Sequence, residues 1–357
     1  MAVRQQAIAQ ELNLSVSTVS RALRNDRAIP ATTRARVIRT ANDLGYRGKP
    51  VSRVSVSDQQ QTFRGASIIV FAPVISGFNW STACTHEAGH FMLTGISAGT
   101  ATRGVFMRFH SVRDTDLDAW LNGDPAAVLP FEGEAPDGAV LLYSHPFAFV
   151  QKLHERMPCV SIVNKYPGLM VDCVGEDVDA GIDTMVRHLR EQGHTRIGFV
   201  NGGYQGEWTV DRYAGYFTAM IRGGLPVDPS RVLGVSSDGL NEEQRIKRLI
   251  DLTRKGVTAW VCANDLTGYG VCRALAGAGL RVPEDVSVTG FDGVEPIDAA
   301  PALTTVSAPL VELGEEAVDR LLFRIDNPTD SVRHIQLSCR MKAGQTTARA
   351  RDKQKLS

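Results

Sequence analysis

The sequence predicts two parts of different class: a small all-α, helix-turn-helix headpiece, then a larger α/β core of two doubly wound parallel-sheet lobes. Three observations carry this. Residues 1–46 hold three short helical periodicities with a tight turn between the first two. From Ser67 onward, short apolar runs alternate with amphipathic stretches, as in βαβ units whose strands are buried on both faces. About 290 residues of that alternation exceed one comfortable core, which implies two lobes.

The elements follow in order. Ala7, Ile8, Ala9 and Leu12 recur at helical spacing over residues 4–12, and Asn13, a residue that tolerates left-handed backbone, follows them. A second helix starts near Val16 with Ser15 as its N-cap and ends near Leu23. A third opens at Pro30, buries Val37, Ile38, Ala41 and Leu44, and stops at Gly45. Residues 47–65, with Gly48, Pro50, Ser52, Ser55, Ser57 and a run of glutamines from Gln59 to Gln61, read as a linker. Core strands are expected at Ile68–Phe71, Val105–Phe109, Ala139–Tyr143, Val160–Val163, Ile197–Val200, Ala259–Cys262 and Val286–Thr289. The core is expected to span residues 66–345, and residues 346–357 read as a polar tail. No tandem repeat of fixed period is visible.

Composition narrows the function classes. Hydrophobic residues make up 43% and charged residues 22% of the 357 residues, which fits a water-soluble globular chain rather than a disordered one. No apolar run approaches the roughly 18 residues of a membrane span, and the N-terminus shows no charged-then-apolar leader, so the expected location is the cytoplasm with no membrane partner. The six cysteines (Cys84, Cys159, Cys173, Cys262, Cys272 and Cys339) form no CxxC pair and match no common zinc spacing, and they read as reduced core residues. Net charge is zero, but residues 1–54 carry ten Lys or Arg against three Asp or Glu, a net of +7, and the remainder carries −7. A basic end with regular apolar positions on an acidic body points to a polyanion partner for that end.

Specific strings then add a resemblance. LSVSTVSRAL from Leu14 to Leu23, followed by a helix ending in LGY at Tyr46, resembles the headpiece of the lactose/galactose repressor (LacI/GalR) family. The core agrees in order and spacing, with DGAVLL from Asp137, QGHTRIGFV from Gln192, DRYAGY from Asp211, CAND from Cys262, RVPEDVSVTGFD from Arg281 and LTTV from Leu303. Each core string is weak alone, whereas their joint order behind that headpiece is specific. The resemblance implies a sequence-specific DNA-binding transcription regulator, a repressor in most relatives, and no enzyme. It implies two periplasmic-binding-protein-like lobes with a small polar effector, a sugar or sugar derivative, between them. It places the chain's crossings between lobes near Asn164, Asp292 and Asp326. It also implies a homodimer on a pseudo-palindromic operator. The tail TTARARDKQKLS lacks the heptads of a tetramerising helix, so a dimer is expected. No cofactor is expected.

On operator DNA, the second helix is the recognition helix, and its first residues enter the major groove in this motif. Val16 and Ser17 occupy the positions that vary with operator sequence in the family. Arg21, one turn on, can donate two hydrogen bonds to guanine O6 and N7. Ser15, Thr18, Ser20 and Asn25 are short polar groups suited to phosphate oxygens. The hinge departs from the family pattern. Gly48 and Lys49 follow Tyr46 and Arg47 where relatives have Pro-Asn, and Ser55 stands where a minor-groove leucine is expected, leaving Val54 or Val56 as the wedge. Pro50 could start a hinge helix but not sit inside one.

For the effector, Arg212, Asn264 and Asp292 match family positions that hydrogen-bond a small polar ligand, and together they offer donors and acceptors for a polyhydroxylated or anionic one. Ser144 and His145 end another strand, where ligands bind in open α/β sheets, although His145 reads more readily as a satisfied loop histidine than as a ligand contact. Asp238 lies in a loop that faces the same cleft in relatives. Asp265 reads either as a ligand contact or as a helix cap. Residues 76–90 form an insertion of about nine residues relative to the family pattern, and Trp80 within it can stack on a sugar face or plug apolar space.

That insertion also spells HEAGH, the HExxH string in which His86 and His90 would bind zinc and Glu87 would act as base. Gly89 weakens a helix there and no third ligand follows, so no metal site is assigned. Two alternatives stand beside the regulator reading: a two-lobe solute-binding protein, against which the basic headpiece argues, and a zinc hydrolase built on HEAGH.

Overall fold

The protein is described here from a computed structural model, covering residues 5–23, 29–44, 46, 65–73, 88–113, 117, 135–202, 206–234, 239–295 and 301–351. The N-terminal part forms three helices, α1 (Gln5–Leu12), α2 (Val16–Leu23) and α3 (Ala31–Asp43). Asn13 makes the turn between the first two at φ 53°. Their apolar positions close a core of Ile8, Ala9, Val19, Ala22, Ile29, Val37 and Ala41, with Leu12, Leu14, Leu23 and Tyr46 at its margin. Leu44, expected inside, is exposed, because α3 ends one residue before it and Tyr46 takes up the packing position. Linker residues 47–64 lie outside the described residues, and so does the hinge.

The core divides into two compact units. The first contains a six-stranded sheet in the order β11-β5-β4-β3-β1-β2, built from β1 (Ser67–Pro73), β2 (Phe106–Val112), β3 (Gly138–Leu142), β4 (Cys159–Ile162), β5 (Val171–Glu176) and β11 (His334–Leu337). The pairs β1–β2, β1–β3, β3–β4 and β4–β5 are parallel. Helices α4 (Ala88–Arg103) and α5 (Phe147–His154) connect these strands. Continuous apolar runs make β1, β3 and β4 central strands, and the core collects around Phe71, Leu141, Phe149 and Tyr166.

The second unit holds β6 (Ile197–Val200), β7 (Val232–Leu233), β8 (Ala259–Cys262), β9 (Ser287–Asp292), β10 (Thr304–Ser307) and β12 (Arg340–Lys342). Their order is β12-β10-β9-β8-β6-β7, parallel except for the β10–β12 pair. Between them run α6 (Val178–Glu191), α7 (Glu207–Arg222), α8 (Glu242–Arg254) and α9 (Asp265–Gly277). Helix α10 (Leu310–Asp326) returns to the first unit, where Leu321 and Ile325 lie over Gly138 of β3.

Three crossings and the C-terminal segment differ from the sequence reading. The chain passes between units at Gly175/Glu176, Leu310/Val311 and Ile335/Gln336, each later than the crossings placed near Asn164, Asp292 and Asp326. The reason is that β5 and β10, too polar to be read as strands, each add to their own sheet before the chain leaves. Residues 346–351 are not a free tail. Thr346 is fully buried, the Val288 amide donates to its carbonyl at 2.8 Å, its hydroxyl donates back to the Val288 carbonyl at 2.7 Å, and the Ala350 amide reaches the Gln192 carbonyl at 2.8 Å. Small residues at 346, 348 and 350 let this segment lie against β9, which composition alone did not reveal.

Candidate functional site

In the headpiece, α2 is held by its start. The Ser15 hydroxyl accepts the Thr18 amide at 3.0 Å and lies 2.8 Å from the Thr18 and Ser17 hydroxyls, an N-cap that satisfies one of the helix's orphan donors. Val19 and Ala22 are buried in the headpiece core, and this leaves Val16 (43% exposed), Ser17 and Arg21 on the open face with Thr18 and Ser20 half-buried beside them. Ser17 and Arg21 are four residues apart and share that face. Asn25 lies outside the described residues. A Gln5 side-chain donor to the Tyr46 hydroxyl at 3.0 Å fastens the end of the third helix segment to α1.

The second unit gathers a polar cluster at the carboxyl ends of its strands, where the order reverses between β6 and β8. Arg212 reaches it from α7 and is 4% exposed. Its Nη1 donates to the Ala263 carbonyl at 2.6 Å, and its Nη2 donates to Glu176 Oε1 at 2.9 Å and to Asp292 Oδ1 at 2.7 Å. The guanidinium carbon stands 4.1 Å from the Phe291 ring centroid and 4.9 Å from that of Trp208. Asp292 ends β9 with φ at 113°, a left-handed conformation that a non-glycine residue rarely adopts and that is held here by its surroundings. Burial pushes its carboxyl up to about 6, against the pull of Arg212. Asn264 caps α9, with its Oδ1 accepting the Thr267 amide at 2.9 Å, so its amide NH2 is what it can offer a ligand. Asp265 is the first residue of α9 rather than its cap. Its carboxylate accepts the Val294 amide at 2.6 Å and the Thr305 hydroxyl, and burial and the nearby Asp292 raise its pKa.

Sequence-predicted residues thus divide. Arg212 and Asp292 touch, and Asn264 follows the residue whose carbonyl Arg212 binds. Ser144 and His145 end β3 in the first unit. Ser144 is exposed. His145 is buried, its Nε2 lies 3.3 Å from the Phe71 carbonyl, its ring packs on Phe149, and burial lowers its pKa to about 4. Trp80, Asp238, His86 and Glu87 lie outside the described residues. His90 is half-buried on α4 against Phe91, and among the described residues no three His, Cys, Asp or Glu converge on a metal position.

Sequence reasoning missed Glu176 and Trp208. Glu176 ends a strand whose polar residues hid it. Trp208 stands four residues before Arg212, a helical spacing that would have flagged it. In the first unit, Asn164, two residues beyond the end of β4, is 1% exposed and has no hydrogen-bond partner for either amide atom among the described residues.

A family model for bacterial regulatory proteins of the lacI family matches residues 6–48, and one for a periplasmic binding protein-like domain matches residues 186–347. The transcriptional repressor CytR of Escherichia coli is 29% identical over 325 residues, 88% of this chain and 87% of that protein. The solved complex of the transcriptional regulator CelR with cellobiose superposes with a TM-score of 0.63 at 22% identity, covering 96% of this chain and 99% of that one. The lac repressor dimer bound to operator and an anti-inducer superposes with a TM-score of 0.59 at 20% identity, covering 98% of this chain and all of that one. No helix of the described residues is long and apolar enough to cross a membrane.

Proposed function

We propose that this chain is a DNA-binding regulator of transcription of the lacI family, a homodimeric repressor relieved or reinforced by a small polyhydroxylated effector. The observation that carries the DNA part is α2, an N-capped helix with Val16, Ser17 and Arg21 presented from a segment of net charge +7. Helices of this kind enter the major groove, and dimers read two half-sites about one helical turn apart. The effector part is supported by the buried Arg212–Glu176–Asp292 cluster with Asn264 beside it, donors and acceptors suited to hydroxyl groups. Cellobiose in the CelR complex favours a carbohydrate. The relatives are regulators, and we assign no catalysis.

The test selects tight-binding duplexes from a random DNA pool with the purified protein. Those duplexes are then used to screen neutral sugars and nucleosides for release or enhancement of binding. Enrichment of a pseudo-palindrome, with its binding changed by a compound that also raises Tm, is the expected result. Failure to enrich any sequence would remove the repressor reading.

A further inference from the structure

The polar cluster of the second unit holds more acid than base. Around the single guanidinium of Arg212 stand Glu176 and Asp292, both in direct contact, which leaves the trio net negative by one charge. Arg212 is also largely spent as a donor. Both Nη2 contacts and one from Nη1 go to protein oxygens. Among the described residues its buried Nε has no partner, and neither has Glu176 Oε2, on a residue only 6% exposed. A buried carboxylate oxygen with no donor is costly to leave unfilled.

Resting on the reading of this cluster as the effector site, we propose that Glu176 sets its charge specificity. The effector is an uncharged or amine-bearing polyhydroxylated molecule that donates to Glu176 and Asp292, and carboxylated or phosphorylated counterparts are rejected. An unencumbered arginine fork is the usual receptor for a carboxylate or phosphate, because two parallel N–H groups match two oxygens. Here Nη2 already holds two carboxylates and Nη1 a backbone carbonyl. An arriving anion finds no free pair of donors and meets like charge, which is strongly unfavourable in a desolvated site. A hydroxyl or ammonium group supplies what Oε2 lacks. Asp292 Oδ1 accepts from Arg212 Nη2 at 2.7 Å, so its carboxylate already takes up that donor.

The test uses the full chain and thermal shift against matched compounds: neutral hexoses, pentoses and nucleosides, each with its amino, acid or phosphate derivatives, and inorganic phosphate alone. The expected result is a saturable rise in Tm with at least one neutral or amine-bearing compound, and binding roughly a hundredfold weaker for its anionic counterpart. Phosphate alone is expected to give no saturable shift. Glu176→Gln keeps the side chain's size and the Arg212–Asp292 contact, and should narrow the discrimination about tenfold, with its fold checked by circular dichroism. Preference for an anionic compound, a saturable phosphate shift, or unchanged discrimination in a folded Glu176→Gln protein each overturns the inference. The first two need no variant. Silence from every compound removes the effector reading itself, and so tells the two failures apart.

Discussion

Arg212 is the residue on which the second unit's buried polarity converges, and its energetic role follows from what its loss leaves behind. Without it, Glu176 and Asp292 face each other across a site shielded from water. Breaking one partner of a buried pair costs about 3–5 kcal/mol, because the remaining charge is uncompensated. Arg212→Ala should therefore destabilise the protein by that order in urea unfolding, and adding Glu176→Gln should recover part of the loss. Additive penalties would show that the two do not share a network. His145 makes a second, independent prediction. Its pKa is lowered from 6.5 to about 4 by burial, so between those values the folded state binds fewer protons than the unfolded one. Stability from this residue is present above about 6.5 and is lost as pH falls through about 4, to the extent of roughly 3 kcal/mol. Asp292, raised to about 6, has the opposite sign over the same range. His145→Gln, which keeps a donor for the Phe71 carbonyl, should remove the first contribution alone, so acid denaturation is shallower than in the parent. An identical pH profile would show that His145 titrates alike in the folded and unfolded states. These two residues also mark what sequence could reveal. Arg212 and Asp292 were legible because they sit in recognisable strings. Glu176 was not, because its role comes from the end of a strand that looks hydrophilic.

At the scale of elements, the legible strands were those in which apolar residues dominate a short run, and the illegible ones carry polar residues whose partners are far away in sequence. Asp172 in β5 is fully buried, but Arg320 and Arg324 of α10 and the Arg333 amide surround its carboxylate at 2.7–2.9 Å. Thr304 in β10 is buried because its amide reaches the Thr346 hydroxyl at 2.9 Å. A local pattern cannot show a partner about 150 residues on, whose contribution is electrostatic rather than periodic. The α4–α10 contact is similar. Gly95 and Gly314 let the two backbones approach so closely that a Cβ on Gly95 would sit 1.9 Å from the Val311 carbonyl oxygen, and one on Gly314 2.1 Å from that of Met92. The obstacle is backbone, which cannot rotate aside. Gly95→Ala should force the helices apart at a cost of roughly 1–3 kcal/mol, the range for overpacking a close-packed core. A neutral or stabilising substitution, measured by thermal unfolding, would mean that the crossing is looser than described.

At the scale of the whole molecule, charge is distributed so that the end that meets DNA is basic and the rest acidic, +7 against −7. Neutralised phosphates release counterions, so log affinity should fall linearly with log salt, at a slope of about −0.9 per phosphate contacted. This separates two roles for Arg21 that a single affinity measurement confounds. A bidentate contact to guanine O6 and N7 contributes to one sequence only, and its loss in Arg21→Ala should cost roughly 1–3 kcal/mol on the selected operator and little on random DNA. The salt slope would then stay close to that of the parent. A phosphate contact would instead weaken both DNAs alike and reduce the slope by about one unit. The position of Arg21, in the last turn of α2 but on the same exposed face as Ser17, favours the first outcome, since that face carries the residues at the helix start that meet base edges in the groove. Titration of parent and variant on both duplexes across a salt series decides it, and equal losses with a reduced slope would move Arg21 from reading the sequence to holding the backbone.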